Sequence, residues 1–114
     1  MTLESMEPGD WSGDDDVLAA LGRDDLTYLV WGADWCGDCR EQLPAFAAAL
    51  DAAGVPADRI EQFPVDDDKQ GEGVDAYDIE FIPTIVVERD GEEIARFVEE
   101  EPAGIAAYLA DRIA

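Results

Sequence analysis

Apolar and polar positions alternate along this chain with two different periods, and the change of period marks its elements. Leu26 to Ala33, LTYLVWGA, is almost continuously apolar and rich in β-branched and aromatic residues. A strand buried on both faces, as in a parallel sheet, has this composition. Further on, Leu43, Phe46, Ala47 and Leu50 recur at i, i+3, i+4 and i+7, the stripe of a helix facing a core. That helix is expected to begin at Cys36 and to bend just before Pro44, which has no amide for the helical ladder. Ile60 to Val65 reads as a second strand, and residues 67–78 as a weak helix with Val74 and Tyr77 inward. Phe81 to Glu88 and Glu92 to Val98 are strands around Asp90-Gly91, a strong hairpin signal. Pro102 to Ile113 is a helix with Ile105, Leu109 and Ile113 on one face. Near the start, Asp14-Asp15-Asp16 caps a short helix bearing Val17, Leu18 and Leu21, which Gly22 ends.

Strands separated by helices pair in parallel through right-handed crossovers, and the hairpin adds an antiparallel edge. The expected fold is therefore α/β: a central mixed sheet flanked by helices on both faces, closed by a hairpin and a helix. No repeat or linker divides residues 1–114, so one domain is expected, with residues 1–12 loosely ordered.

Charge changes the functional picture. Asp and Glu number 29 against 7 Lys and Arg, a formal net charge of −22, with no His and Lys69 as the single lysine. Such an excess excludes nucleic acid and anionic membrane surfaces as partners, because both are polyanions. Abundant Asp with almost no Lys resembles halophilic proteins and points to a salt-rich cytoplasm. The first residues, MTLESMEPGDW, have no basic region and no apolar stretch of signal length. No run approaches the roughly 20 apolar residues of a membrane span, and a cytoplasmic location is expected.

The two cysteines are the candidate chemistry. They lie three residues apart in Trp35-Cys36-Gly37-Asp38-Cys39-Arg40, directly after the apolar strand. A strand ending at Ala33 and a helix starting near Cys36 put the first thiol at a helix N-terminus, where unpaired amides and the dipole stabilise a thiolate. The i to i+3 spacing brings Cys39 under Cys36 on the same helical face, so the two sulfurs can close a small disulfide. Cys36, nearer the helix end and solvent, is expected to attack, and Cys39, one turn in, to resolve. Gly37 places no side chain over the sulfur. A zinc site needs about four ligands, more than two Cys and no His in one chain supply. Asp66-Asp67-Asp68 lacks the spacing of a calcium loop and reads as a cap with a solvated face.

These residues resemble the thioredoxin family: the tryptophan before the C-x-x-C pair, the strand-to-helix context, a proline in the following helix, Ile82-Pro83-Thr84 and the Asp90-Gly91 hairpin. The resemblance runs from about Leu26 to Ala114, and it implies that Cys36 attacks a substrate disulfide and Cys39 resolves the mixed disulfide. It implies that Trp35 flanks the site and that Pro83 is the family's cis-proline. The Ile82 backbone, with Thr84 beside it, would then be left to pair with an extended substrate segment. No bound cofactor is implied beyond the Cys36–Cys39 redox disulfide. The implied partners are disulfide-bearing proteins or small oxidised thiols and an NADPH-dependent flavoprotein thioredoxin reductase or its equivalent, with the protein itself a monomer.

Four departures from the family pattern stand out. Asp38 replaces the usual proline between the cysteines; its charge disfavours a neighbouring thiolate, while Arg40 opposes it. Val30 stands where the family keeps a buried Asp that assists proton transfer from the resolving thiol, leaving water or a carboxylate such as Asp38 for that task. Gly32 stands where a second tryptophan is common, and Glu99-Glu100-Glu101 occupies a loop that normally contains glycine near the substrate. These changes favour a specialised reductase. Two rivals remain: an oxidant or isomerase of the same fold, and a non-catalytic module that binds partners through the Ile82-Pro83 groove.

If the charge excess is an adaptation to salt, folding depends on screening. At about 1 M salt the Debye length is roughly 3 Å and most of the repulsion is lost. Dialysis from molar KCl into low salt should therefore unfold or markedly destabilise the protein by circular dichroism, and unchanged folding there would contradict the halophilic reading.

Overall fold

A strand with no polar side must be covered from both directions, and Leu26–Gly32 (β1) is: every residue of it but Thr27 is buried. The computed structural model, which describes residues 6–11, 13, 15–66, 68, 70–98 and 104–113, places β1 inside a four-stranded mixed sheet. Helix α1 (Asp15–Leu21) precedes β1, and α2 (Gly37–Ala52) follows it. A 3-10 turn, Ala57–Arg59, leads into β2 (Ile60–Pro64), then come β3 (Thr84–Arg89), β4 (Glu92–Val98) and α3 (Ile105–Ile113). The strand order is β2-β1-β3-β4. β1 runs parallel to β2, joined to it through α2, and antiparallel to β3, which pairs antiparallel with β4.

Residues two apart on a strand share a face, which sorts the core into two layers. On one face, Tyr28 lies across from Val87, Val30 from Ile85, and Ile85 from Phe97. Tyr28 meets Phe46 of α2 edge-on at 6.1 Å, and Phe97 meets Tyr108 of α3 at 5.5 Å. The buried Tyr28 hydroxyl donates to the Leu21 carbonyl at the end of α1, 2.6 Å away. That bond gives the phenol a partner where an unpaired one would cost about 1–3 kcal/mol. α2 and α3 thus set aromatic side chains against this face, and α1 ends on it through the Leu21 carbonyl.

On the other face, Trp31 is fully buried, stacked on Phe63 at 4.7 Å and tilted against Tyr77 at 5.0 Å, with its indole N–H donating to the Glu72 carbonyl at 2.9 Å. Over this face the weak helix expected across residues 67–78 is shortened to a single helical turn. The Tyr77 amide donates to the Gly73 carbonyl at 3.0 Å, and the Ile79 amide reaches back to Val74 at 2.9 Å. Asp78, at φ 54°, closes the turn as a left-handed C-terminal residue does. Gly71 and Gly73 explain the shortening, since each glycine costs about 1 kcal/mol against alanine inside a helix. Gly73 has a further reason to be glycine: at φ +81°, an added Cβ would come within 2.9 Å of the Trp31 ring. Val74 is buried as expected and Tyr77 is half-buried.

Other boundaries moved for local reasons. β3 begins at Thr84 rather than Phe81, because Pro83 has no amide for the ladder; the Ile82–Pro83 bond ahead of it is cis. α2 continues through Pro44 to Ala52, and the Pro44 carbonyl accepts the Gly9 amide at 2.9 Å. Asp90 at φ 54° and Gly91 at φ 82° make the two-residue hairpin a type I′ turn, as the pair predicts. Within the leading segment, Met6 is buried and Trp11 packs on the core. Asp14, Asp67, Lys69, the Glu99–Glu101 stretch and the expected helix start at Pro102 lie outside the described residues. Among the described residues no helix is long and apolar enough to cross a membrane.

Candidate active site

The site is built where β1 gives way to α2. The chain leaves the strand at Gly32, and the Cys36 amide donates to the Ala33 carbonyl at 3.2 Å, closing the turn. Cys36 is then the N-cap of α2, with extended backbone angles of φ −84° and ψ 120°. A helix start leaves amides unpaired, and serine, threonine or aspartate usually supplies an oxygen to them. Here the Cys36 sulfur does so, accepting the Cys39 amide at 3.3 Å. The residue that caps the helix is also the expected nucleophile.

Cys39 lies one turn in and is fully buried in the core, whereas Cys36 is half-buried and opens to solvent. Both are free thiols. The Cys39 thiol is pushed up to about 12 from its ordinary value of 9.0, above all by burial, and next by donating its proton toward Cys36. Charge on Cys36 and on Asp38 adds to the rise, while a hydrogen bond from the Ala33 backbone works against it. Val30, at the position where a buried acid was looked for, is wholly buried between Gln62 of β2 and Ile85 of β3. Asp38, singled out from sequence for its effect on the attacking thiol, is instead one of the smaller causes of the rise at the resolving thiol, Cys39.

The turn before β3 forms the other wall. The Ile82 carbonyl lies 4.0 Å from the Cys36 sulfur and accepts its S–H. Ile82 and Pro83 are buried. Thr84, also expected at the substrate surface, is 1% exposed, and its hydroxyl donates to the Phe81 carbonyl at 2.6 Å. Its side chain therefore holds the turn together from inside. Trp35, Gly37 and Asp38 are on the surface, with Trp35 50% exposed. Of the residues singled out from sequence, the fold brings Cys36, Cys39 and the Ile82 carbonyl together and sets Trp35 beside them.

Sequence reasoning missed Phe81 and Val98, which are 44% and 38% exposed. Both were read only as strand ends, Phe81 opening Phe81–Glu88 and Val98 closing Glu92–Val98. The one available signal was the proline two residues after Phe81, which forbids an ordinary strand start there. Among the described residues, no group of three or more His, Cys, Asp or Glu could hold a metal ion.

Comparison with known proteins agrees with this geometry. The Thioredoxin family model matches residues 15–111. A thioredoxin of Rhodospirillum rubrum is 31% identical over 86 residues, covering 75% of this chain and 77% of that protein. A thioredoxin of Echinococcus granulosus is 31% identical over 97 residues, covering 84% and 87%. Among solved structures, Malassezia sympodialis thioredoxin superposes with a TM-score of 0.55 at 24% identity, covering 95% of this chain and 94% of its own. A single-residue mutant of thioredoxin from Halobacterium salinarum does so with a TM-score of 0.52 at 24% identity, covering 99% and 93%. The family match takes in both cysteines, the sheet that carries them and the turn that faces them, and this chain belongs to the thioredoxin family of thiol–disulfide oxidoreductases.

Proposed function

We propose that this protein reduces disulfides in proteins or in small oxidised thiols, with Cys36 as the attacking and Cys39 as the resolving thiol. One observation carries the reading: the Cys36 sulfur caps α2 at the solvent edge, with the Cys39 amide 3.3 Å away and the Cys39 thiol one turn behind. In the first step the Cys36 thiolate attacks a substrate sulfur. An S–S bond forms between them, the substrate S–S bond breaks, and the departing sulfur takes up a proton. In the second step Cys39 gives up its proton and attacks the Cys36 sulfur, expelling the second substrate thiolate. Two electrons pass from the cysteine pair to the substrate, and the Cys36–Cys39 disulfide remains. No bound cofactor enters either step.

An extended substrate segment would lie along Ile82, whose carbonyl already faces the sulfur, with Trp35 beside it. The oxidised pair would be returned to dithiol by an NADPH-dependent flavoprotein thioredoxin reductase or its equivalent, in a cytoplasm rich in salt. An oxidant or isomerase would use the same residues at a different potential. A binding module would use the same groove without turnover.

Two substitutions separate turnover from binding. Cys36→Ser should abolish disulfide reduction, and Cys39→Ser should accumulate mixed disulfides with substrate, visible by mass under non-reducing conditions. Full activity in Cys36→Ser, or an empty Cys39→Ser trap in cell extract, would contradict the dithiol mechanism.

The elevated Cys39 thiol sets a pH dependence. A thiol raised toward 12 is almost wholly protonated at neutral pH, and each further unit of pH gives about ten times more thiolate. Burial, the largest cause of the rise, persists when Cys36 is bonded to substrate. Release of the second thiol from a preformed Cys36 mixed disulfide should therefore accelerate about tenfold per pH unit from about pH 7 to 9, measured by quenched-flow alkylation. A rate independent of pH would mean that another group takes the Cys39 proton.

A further inference from the structure

Among the described residues, the exposed large apolar side chains are Trp35 at 50%, Phe81 at 44% and Val98 at 38%. All three are tied to one thiol. Trp35 adjoins Cys36 in the chain. Phe81 adjoins Ile82, whose carbonyl is 4.0 Å from the Cys36 sulfur. Val98 pairs across the sheet with Thr84, whose hydroxyl holds the Phe81 carbonyl at 2.6 Å. Scattered exposed apolar residues need no explanation, but three on segments at the same end of the sheet as the thiol, in a chain with a net charge of −22, do.

From this placement we propose that Phe81 determines substrate specificity: its ring takes a large apolar side chain next to the disulfide-bonded cysteine of an extended peptide. The inference rests on the dithiol reading above and adds no chemical step to it. Successive side chains of an extended segment point to opposite sides. Accordingly, the Ile82 side chain is buried at 4% while Phe81 next to it is turned out. A peptide strand laid along Ile82, with its sulfur at Cys36, meets the Phe81 ring and not the Ile82 side chain. Charge decides among occupants. An acidic peptide is repelled by the chain as a whole, and a second copy would bring another 22 negative charges. A neutral or basic peptide with apolar residues beside its cysteine is not repelled, and burying Leu or Phe against the ring removes apolar surface from water on both sides.

The test uses three disulfide-linked peptides that differ only at the residue beside the reactive cysteine: Leu, Gly or Glu. Second-order rate constants for their reduction by the pre-reduced full chain are measured in molar KCl. Wild type should prefer the Leu peptide to the Gly peptide, and Phe81→Ala should cut that preference about tenfold, the scale of one well-buried aromatic contact. Phe81→Leu should keep most of it. An unaltered Leu-to-Gly ratio in Phe81→Ala, or no preference in wild type, would overturn the role of Phe81 while leaving the dithiol reading intact. Failure of wild type to reduce any of the three, Gly included, would overturn the dithiol reading itself. A dimer in molar KCl that Phe81→Ala dissolves would assign the patch to a second copy and overturn the peptide proposal.

Discussion

The hydrogen bond from the Cys39 amide to the Cys36 sulfur is the constraint on which the rest of the site depends. It gives a helix N-terminus its cap, and it fixes the nucleophile at the only turn of the helix where free amides and the dipole favour negative charge. The same bond sets the second thiol one turn deeper, where burial keeps it protonated. Exposure and depth, the two properties that distinguish an attacking from a resolving cysteine, thus follow from one i to i+3 relation at one helix end. The sheet supplies the rest. β1 delivers the chain to the cap, and the turn ahead of β3, which neighbours β1, presents the Ile82 carbonyl to the sulfur.

The structure separates two kinds of surface that composition mixes. The carboxylates that make the net charge −22 would repel most anionic partners, while Trp35, Phe81 and Val98 are exposed apolar side chains on the segments that border the thiol. Screening by salt weakens the first effect and leaves the second, since apolar contact does not depend on ionic strength in that way. At high salt, recognition would then rest on these apolar side chains, with charge acting mainly against unsuitable partners at lower salt.

How much of this could be read from the chain follows from how local each signal is. β1 was legible because LTYLVWGA leaves no polar face, the hairpin because Asp90-Gly91 suits two left-handed residues, and the start of α2 because the apolar stripe begins just after the cysteines. The 67–78 segment was misread as a longer helix. Val74 and Tyr77 have helical spacing, but two glycines and the capture of the Glu72 carbonyl by the Trp31 indole hold the helix to one turn, and that indole contact is 41 residues distant in sequence. Phe81 was read as the first residue of a strand that begins only at Thr84, since Pro83 has no amide for the ladder, and it is left exposed ahead of it. Thr84, assigned to the substrate surface by resemblance, is instead a buried strut whose hydroxyl is committed to the Phe81 carbonyl. In the 67–78 segment a contact distant in sequence overrode the local pattern.

The central claim is that Cys36 and Cys39 are a working redox couple, and a thiol–disulfide titration in molar KCl, counted by mass after alkylation, tests it most directly. The expected result is a single two-electron transition in which both thiols disappear together, with a potential near the thioredoxin value of about −270 mV. A transition between about −180 and about −120 mV would make the protein an oxidant or isomerase. If no disulfide forms between Cys36 and Cys39 at any poise, the dithiol chemistry is wrong and the groove belongs to a binding module.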